Sequence, residues 1–546
     1  MLQRSTVKYL GLHAAVRSIL FLAGLYCGSF SFATPVVSPA IDTSFVAEAI
    51  PPGTLPANWQ RGAFMEIFVR AYKDSNGDGV GDLKGLTQQL DYLKDLGIKG
   101  IWLMPINTSA DGDHGYATTD FRAIDPAYGS LQDFDELIRQ AHARGIGVVM
   151  DYVINHSARQ HPMFVSALAD GPASLFFDWY VWEHDAPKGW DIWGKYPWTA
   201  TPQGHYFGTF GKHMPDFNFK NPAVLAYHQS SLRFWLNRGL DGFRLDAVPH
   251  LVENNAKEWN DQPESRRITG ALRELITAYP QRYVVCEATA NPQVYAAPDI
   301  CGSAFAFGLE RNIVQAAKGN QNAIRYVANY FTTAPQTMAT FVANHDIFAG
   351  ARLWDQLRGN LAQYKLAAAS YLLQPGTPFI YYGEEIGMAG TKGLDGDAPL
   401  RAPMSWTADQ QGAGFTTGAK PFRPIAANVA RYNVASQLAD PHSLLSFYKS
   451  MLALRNSLPS LSGGSYDAPV VQGRVMAYQR TLGAETTLVI INYCKKASRL
   501  TLKNLRPHTA FAVAYPVRAP SLQTHAHGEL SLGLPAQSVR VYTAQR

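Results

Sequence analysis

The sequence predicts an α/β fold: a (β/α)8 barrel of the TIM type with an inserted subdomain after its third strand and a C-terminal antiparallel β-sandwich. Between Phe64 and Gly383, short apolar and β-branched runs alternate with longer amphipathic stretches, the pattern of parallel strands joined by helices. Eight such runs can be counted, which suits a closed barrel whose functional side chains stand at the C-terminal ends of its strands. Beyond Asn456 the pattern changes to short alternating runs, as in a sandwich of antiparallel strands.

The barrel strands are expected at 64–69, 100–104, 147–153, 242–246, 283–287, 304–307, 338–344 and 379–383. After the third, residues 156–215 are rich in aromatics, Pro and Gly without a helical period, too long for an ordinary loop and so read as the insert. The barrel is therefore expected over 62–155 and 216–456 and the sandwich over 457–546, with strands near 475–479, 487–492, 510–514 and 538–543.

Ahead of the barrel, Arg4, Lys8 and Arg17 form a basic stretch, followed by an apolar run from Ile19 to Cys27 and small residues ending at Ala33. This is the pattern of a secretory signal peptide over 1–33 cut after Ala33, so export to the periplasm or the exterior is expected, with 34–61 as a linker. The apolar run is shorter than the roughly 18 residues of a spanning helix and no later stretch qualifies, so no membrane is expected to hold the mature chain. Bulky Tyr26 disfavours lipid attachment at Cys27, which requires a small residue before it.

With 546 residues, 47% of them hydrophobic and 17% charged, the chain has material for a large core and lacks the composition of a disordered one. A formal net charge of +5 with no Lys/Arg run argues against nucleic acid as a partner. No feature of the sequence fixes an oligomeric state. Trp179, Trp182, Trp190, Trp193 and Trp198 of the insert admit two readings, a sugar-stacking wall or the insert's own core. Without the leader, Cys286, Cys301 and Cys494 remain; a Cys286–Cys301 bridge and three buried thiols are equal alternatives.

Carboxylates fall at the expected strand ends: Asp246 closes the fourth, Glu287 the fifth, and Asp346 follows the seventh. Cleaving a glycosidic bond with retention needs one carboxylate as nucleophile and another as acid and then base, about 5–5.5 Å apart. Arg244, two residues before Asp246 and so on its face of the strand, is placed to keep it ionised. Glu287 follows apolar Val284, Val285 and Cys286, where desolvation raises a carboxyl's pKa.

These segments resemble those of the alpha-amylase superfamily, glycoside hydrolase family 13. Asp151-Tyr152-Val153-Ile154-Asn155-His156, Gly242 to Asp246, Glu287 and Phe341 to Asp346 match its signature segments in order, and the resemblance runs from about Gly62 to Arg546. It implies Asp246 as nucleophile, Glu287 as acid/base and Asp346 as the residue gripping sugar hydroxyls. It also implies that Tyr116, His156, Arg244, His250, His345 and Arg401 bind substrate, and that the substrate is an α-glucan or maltooligosaccharide. Met214-Pro215-Asp216-Phe217-Asn218 resembles a form intermediate between oligo-1,6-glucosidases and neopullulanases, and Leu400 to Trp406 an oligosaccharide-acting branch that includes trehalose synthases. Pro249 stands where many alpha-amylases have Lys. The expected activity is α-1,4-glucan hydrolysis by double displacement; an oligosaccharide-acting α-glucosidase or cyclomaltodextrinase, or a trehalose synthase-type isomerase, is the alternative. An inactive sugar-binding relative is disfavoured because all three carboxylates are present.

Asp74-Ser75-Asn76-Gly77-Asp78-Gly79-Val80-Gly81-Asp82 offers alternating oxygen ligands on a Gly-rich loop, as Ca2+ requires. The bidentate Glu of an EF-hand is replaced by Gly85, so this is a different calcium loop or a hydrogen-bonded turn without metal. The resemblance implies side-chain ligands from Asp74, Asn76, Asp78 and Asp82 and the carbonyl of Val80, with Asn155 serving a second calcium beside the insert.

Overall fold

A computed structural model describes residues 41–418 and 420–545. Seven parallel strands form one sheet, in the spatial order Tyr283–Cys286, Gly242–Leu245, Gly147–Tyr152, Gly100–Leu103, Phe64–Ile67, Thr377–Tyr381 and Ala339–Thr340. The expected sixth strand is reduced to two parallel bridges, Cys286 to Ala304 and Phe305 to Ala339, which join the sheet's two edges and close the barrel. It goes no further because the Phe307 amide turns back onto the Phe305 carbonyl at 2.8 Å, and Gly308, at φ 93°, starts the helix Leu309–Ala317. The fourth and fifth strands end one residue earlier than expected, leaving Asp246 and Glu287 just past their ends.

Strands buried on both faces read as apolar runs because both faces need apolar cover. Phe64, Trp102, Val149, Val285, Phe305 and Phe379 fill the barrel interior, whereas alternate residues such as Met65 and Ile101 pack outward against the helices. The helix Leu131–Ala143 shows the local logic. Ser130 and Asp133 form a capping box at its start, and Phe134, Leu137, Ile138 and Ala141 make its buried stripe. Each large apolar side chain so buried contributes about 1.5–3 kcal/mol.

The expected linker is an ordered strap over its described part. Asp42 pairs with Arg122 at 3.1 Å, the Val46 amide donates to Ser230 Oγ at 3.4 Å and the Ala49 amide to Asn237 Oδ1 at 2.9 Å. The strap leads to Trp59, whose Nε1 donates to the Gln281 carbonyl at 3.1 Å and whose ring lies 5.4 Å from Phe64. A Cβ at Gly147 would stand 2.2 Å from this indole, so the third strand must begin with glycine for Trp59 to seat.

The insert contains one helix where no helical period was legible, Pro162–Asp170, begun by Pro at its first turn and capped by His161. Its antiparallel sheet orders Trp182–Glu183, Gly204–Phe207 and Trp198–Thr201. Trp179 and Trp182 pack against the main core, and Trp190 and Trp198 against Phe207. Trp193 alone of the five is exposed, at 61%.

The C-terminal region forms a six-stranded antiparallel sheet, Asp467–Gln472, Val475–Leu482, Glu485–Asn492, Ser538–Gln545, Ala510–Tyr515 and Leu522–Gln523, beside a pair formed by Ser498–Leu502 and Leu530–Leu534. Val475, Leu488, Leu500 and Leu532 share the core between them, so the sandwich expectation holds, with strands extending one to three residues beyond the expected bounds. Cys286 and Cys301 are disulfide-bonded and Cys494 is free. The expected signal peptide, its cut after Ala33 and Cys27 lie outside the described residues. Among the described residues no helix is long and apolar enough to cross a membrane.

Candidate active site

Asp246, Glu287 and Asp346 all line one cavity of about 740 Å³ at the C-terminal mouth of the barrel. Arg244, 1% exposed, stands behind them. Its guanidinium forms an ion pair with Asp246, reaches Asp151 Oδ1 at 2.9 Å and Glu287 Oε2 at 3.0 Å. One cation therefore serves three buried acids. The Ala247 amide also donates to Glu287 Oε2 at 3.0 Å, yet burial holds the Glu287 carboxyl above the usual range against the pull of Arg244. Glu287 thus binds its proton more tightly than an exposed glutamate does, and Asp246 is ion-paired to the guanidinium. The two side chains share one guanidinium. That closeness suits the retaining arrangement, about 5–5.5 Å, rather than the wider gap of about 6.5–9.5 Å that admits a water between the acids.

Asp346 follows the seventh strand and takes Arg401 Nη2 at 3.2 Å and His345 Nε2 at 3.2 Å. Burial, reinforced by the neighbouring Glu287, pushes its carboxyl up to about 7. Arg401 is fastened by its Nε to the His345 carbonyl at 3.1 Å and by ion pairs to Asp397 at 3.4 Å and Asp113 at 3.6 Å. Arg423 reaches the same Asp113 at 2.8 Å.

His156 donates from Nε2 to the Tyr116 carbonyl at 3.1 Å. A carbonyl only accepts, so in the neutral ring Nδ1 is a bare acceptor, and it has no protein partner. Burial takes the His156 imidazole down to about 3 and that of His250 to about 4, so both are neutral at neutral pH. His250 stacks on Trp259 with ring centroids 5.5 Å apart, and the exposed Trp193 sits edge-on to both rings.

Seven of the nine residues expected in catalysis and substrate binding line the cavity: Asp246, Glu287, Asp346, Tyr116, His156, His250 and Arg401. Arg244 and His345, also expected to bind substrate, do not line it and stand behind its wall, 1% and 0% exposed. Both are enclosed because the cavity is faced by the groups they bind. Glu66, Trp259 and the rim pair Ile347 and Phe348 were missed. A glutamate within the apolar run Phe64-Met65-Glu66-Ile67-Phe68 was the available signal, since unpaired acids are almost never fully buried.

In the loop after the first strand, Asp74 accepts the amides of Asn76, Gly77 and Gly79 at 3.0, 2.7 and 2.8 Å. Asn76 and Asp78 each accept the amide two residues on, at 2.8 Å. Asp82 is turned to Ser75 and to the Gly85 amide, capping the helix Leu83–Gln88. Among the described residues no three acidic, His or Cys side chains are arranged to hold a metal ion as they stand. The donor chemistry, carboxylates with an amide oxygen and the Val80 carbonyl, fits a hard cation, but Asp82 must swing from its cap to join it. Asn155 is 1% exposed and neither polar atom of its side chain makes a hydrogen bond. It faces Asp216, whose carboxyl burial pushes up to about 7; an amide oxygen beside a buried carboxylate also fits a hard cation.

The family profile described as "Alpha amylase, catalytic domain" matches residues 66–464. The chain is 35% identical over 446 residues to "Alpha-amylase 3" of Dictyoglomus thermophilum, covering 80% of this chain and 85% of that protein. It is 35% identical over 479 residues to a "Trehalose synthase/amylase" of Mycolicibacterium smegmatis, covering 76% and 79%. Among solved structures, an alpha-amylase from H. orenii superposes with a TM-score of 0.78 at 29% identity, covering 89% of this chain and all of that one.

Proposed function

The chain belongs to the alpha-amylase family and is a glycoside hydrolase, and we propose that it hydrolyses α-1,4-linked glucans and maltooligosaccharides with retention, through a covalent glucosyl-enzyme. The observation that carries this reading is the Arg244 fork, which holds Asp246 beside Glu287 at one buried guanidinium, where burial raises the Glu287 carboxyl. Asp246 attacks the anomeric carbon as Glu287 gives its proton to the departing glycosidic oxygen. Glu287 then takes a proton from water, the resulting hydroxide adds to the anomeric carbon, and the bond to Asp246 breaks. Asp346 and Arg401 hold sugar hydroxyls on one side of the cavity, and the bare Nδ1 of His156 accepts from another.

The linked charges of Asp113, Arg401 and Arg423 favour a second reading. Arg401 is a cavity-wall residue fixed by ion pairs, and a wall so fastened beyond Asp346 suits a terminal glucose better than the middle of a polymer. That supports an oligosaccharide-acting α-glucosidase, with transfer to sugar as well as to water.

Calcium at the 74–82 loop and beside Asn155 is part of the proposal, supported by the oxygen donors and by the unsatisfied Asn155 amide. Its contribution would be charge neutralisation away from the bond cleaved. Export is also part of it, supported by the N-terminal sequence pattern. The deciding experiment is product analysis after incubation with soluble starch, maltotriose, isomaltose, maltose and sucrose. Maltooligosaccharides from starch support the first reading; inert starch with glucose from isomaltose, or trehalose from maltose, moves the assignment to the second or to an isomerase.

A further inference from the structure

Glu66 is buried in the barrel without an ion pair to Arg or Lys among the described residues, and it does not line the cavity. It lies two residues after Phe64 on the first strand, so it shares the inward face. At 2% exposure, its Oε1 stands 2.6 Å from Nδ1 of His345. On the other side of that ring, Nε2 lies 2.8 Å from the Tyr116 hydroxyl and 3.2 Å from Asp346 Oδ2. The Tyr116 ring stacks on the imidazole at 14°.

With Asp151 held as a carboxylate by Arg244 and Asp346 by Arg401, against the burial that pushes them up to about 8 and about 7, the hydrogens can be counted. Asp151 is held by Arg244 on one oxygen and receives Trp102 Nε1–H at 3.2 Å and the Tyr116 hydroxyl at 2.9 Å on the other. Tyr116 spends its only proton there, so towards His345 its oxygen can only accept. Asp346, ion-paired to Arg401, accepts as well. Two acceptors therefore face Nε2, which must carry hydrogen. In a neutral ring Nδ1 is then bare, and the atom 2.6 Å from it has to bring the proton.

We propose that Glu66 is a positioning residue held as the neutral acid, donating to Nδ1 of His345 and fixing the ring as its Nε2–H tautomer, so that Tyr116 and Asp346 are set for the sugar. The clause about the sugar rests on the function proposed above; the placement of the proton does not. Burial drives the Glu66 carboxyl well above its usual range, and burial together with Arg401 and Arg244 keeps His345 from taking a charge. In the opposite tautomer a bare Nε2 would face the lone pairs of Asp346, and the carboxylate would be pushed off the ring.

The test is two-bond 1H–15N correlation spectroscopy of full-length protein labelled at histidine nitrogen, with His345→Asn used to identify the signal. Wild type is expected to show His345 neutral with hydrogen on Nε2. Glu66→Gln keeps a donor in the same place, so it should keep that tautomer and lose no more than about 3-fold in kcat/KM, whereas Glu66→Leu should lose the fixed tautomer and roughly 10–100-fold in kcat/KM. A packing role alone would lower the melting temperature of Glu66→Leu and leave the ring as it was, which overturns the proposal. So does a wild-type ring carrying hydrogen on Nδ1 or on both nitrogens, or Glu66→Gln failing as badly as Glu66→Leu. The spectra of wild type and Glu66→Gln keep the test open if Glu66→Leu does not fold. Because they need no substrate, a wild type inert towards every α-glucoside would sink the functional reading and leave the proton placement standing.

Discussion

Arg401 Nη2 lies 3.2 Å from Asp346 Oδ1, a contact across 55 residues of chain. Breaking a buried pair from one side costs about 3–5 kcal/mol. With its carboxyl already pushed up to about 7 by burial, Asp346 would bind its proton more tightly still without Arg401. Arg401→Ala should therefore lower kcat/KM at pH 7 by roughly 10²-fold or more and move the acid limb of the pH profile to higher pH, measured on maltotriose. An unmoved acid limb would mean that Asp346 does not control it.

Replacing Asp246 tests the nucleophile. Asp246→Asn should cut kcat by on the order of 10⁴-fold with an unchanged circular dichroism spectrum. Asp246→Gly in the presence of azide should yield the glucosyl azide of inverted configuration, since the anion then attacks from the vacated side. Substantial turnover in Asp246→Asn would assign the role elsewhere.

Stability should fall on the alkaline side because of two neighbouring glutamates. Glu384 accepts the hydroxyls of Tyr371 and Tyr448 at 2.6 and 2.7 Å, Glu385 accepts that of Tyr92 at 2.7 Å, and burial pushes each carboxyl up to about 7. A carboxyl whose folded pKa is raised leaves stability whole below its unfolded value of about 4.5 and erodes it as pH rises through about 7. The melting temperature should be lower at pH 8 than at pH 5 by roughly 5 °C. Glu385→Gln, which cannot ionise, should shrink that difference; scanning calorimetry showing the full drop in the variant would refute the assignment.

The Cys286–Cys301 bridge closes 15 residues of chain next to Glu287. A loop of that length is worth about 3 kcal/mol on the chain-entropy estimate. Cys286→Ala with Cys301→Ala should lower the melting temperature by roughly 5–10 °C, whereas reductant should not lower it further in this double variant. Equal sensitivity of wild type and variant to reductant would contradict the bridge.

Chelation tests the proposed cation. If calcium is held at 74–82, ethylenediaminetetraacetate should lower the melting temperature and added calcium should restore it, with about 2.7 kcal/mol at stake when the ion stands at 100 times its dissociation constant. Asp74→Asn should weaken this response. Identical melting curves with and without chelator favour the self-bonded turn capped by Asp82.

Much of the barrel was legible because parallel strands covered on both faces must be written in apolar residues, as Gly147-Val148-Val149-Met150 is. The sixth strand was over-read: Ala304 and Phe305 bridge both neighbours, but Gly308 already starts the next helix. Asp246, Glu287 and Asp346 were legible from their positions at strand ends. That Arg244 and His345 stand behind the wall was not, because depth below a surface is a property of the neighbours and not of the motif. Nor did anything along the chain distinguish Trp193 from Trp198; the first is 61% exposed and the second 7% only once Phe207 and Trp190 have packed.

The seat of Trp59 ties the beginning of the described chain to residues made long afterwards. Its indole waits for Gln281, 222 positions later, and the strap before it for Ser230 and Asn237, 184 and 188 positions after their partners. At about 5–20 residues per second of synthesis, that delay is on the order of 10 to 40 s. The earliest described stretch to leave the ribosome is thus among the last to find its place, and the barrel floor is sealed only as its fifth strand emerges.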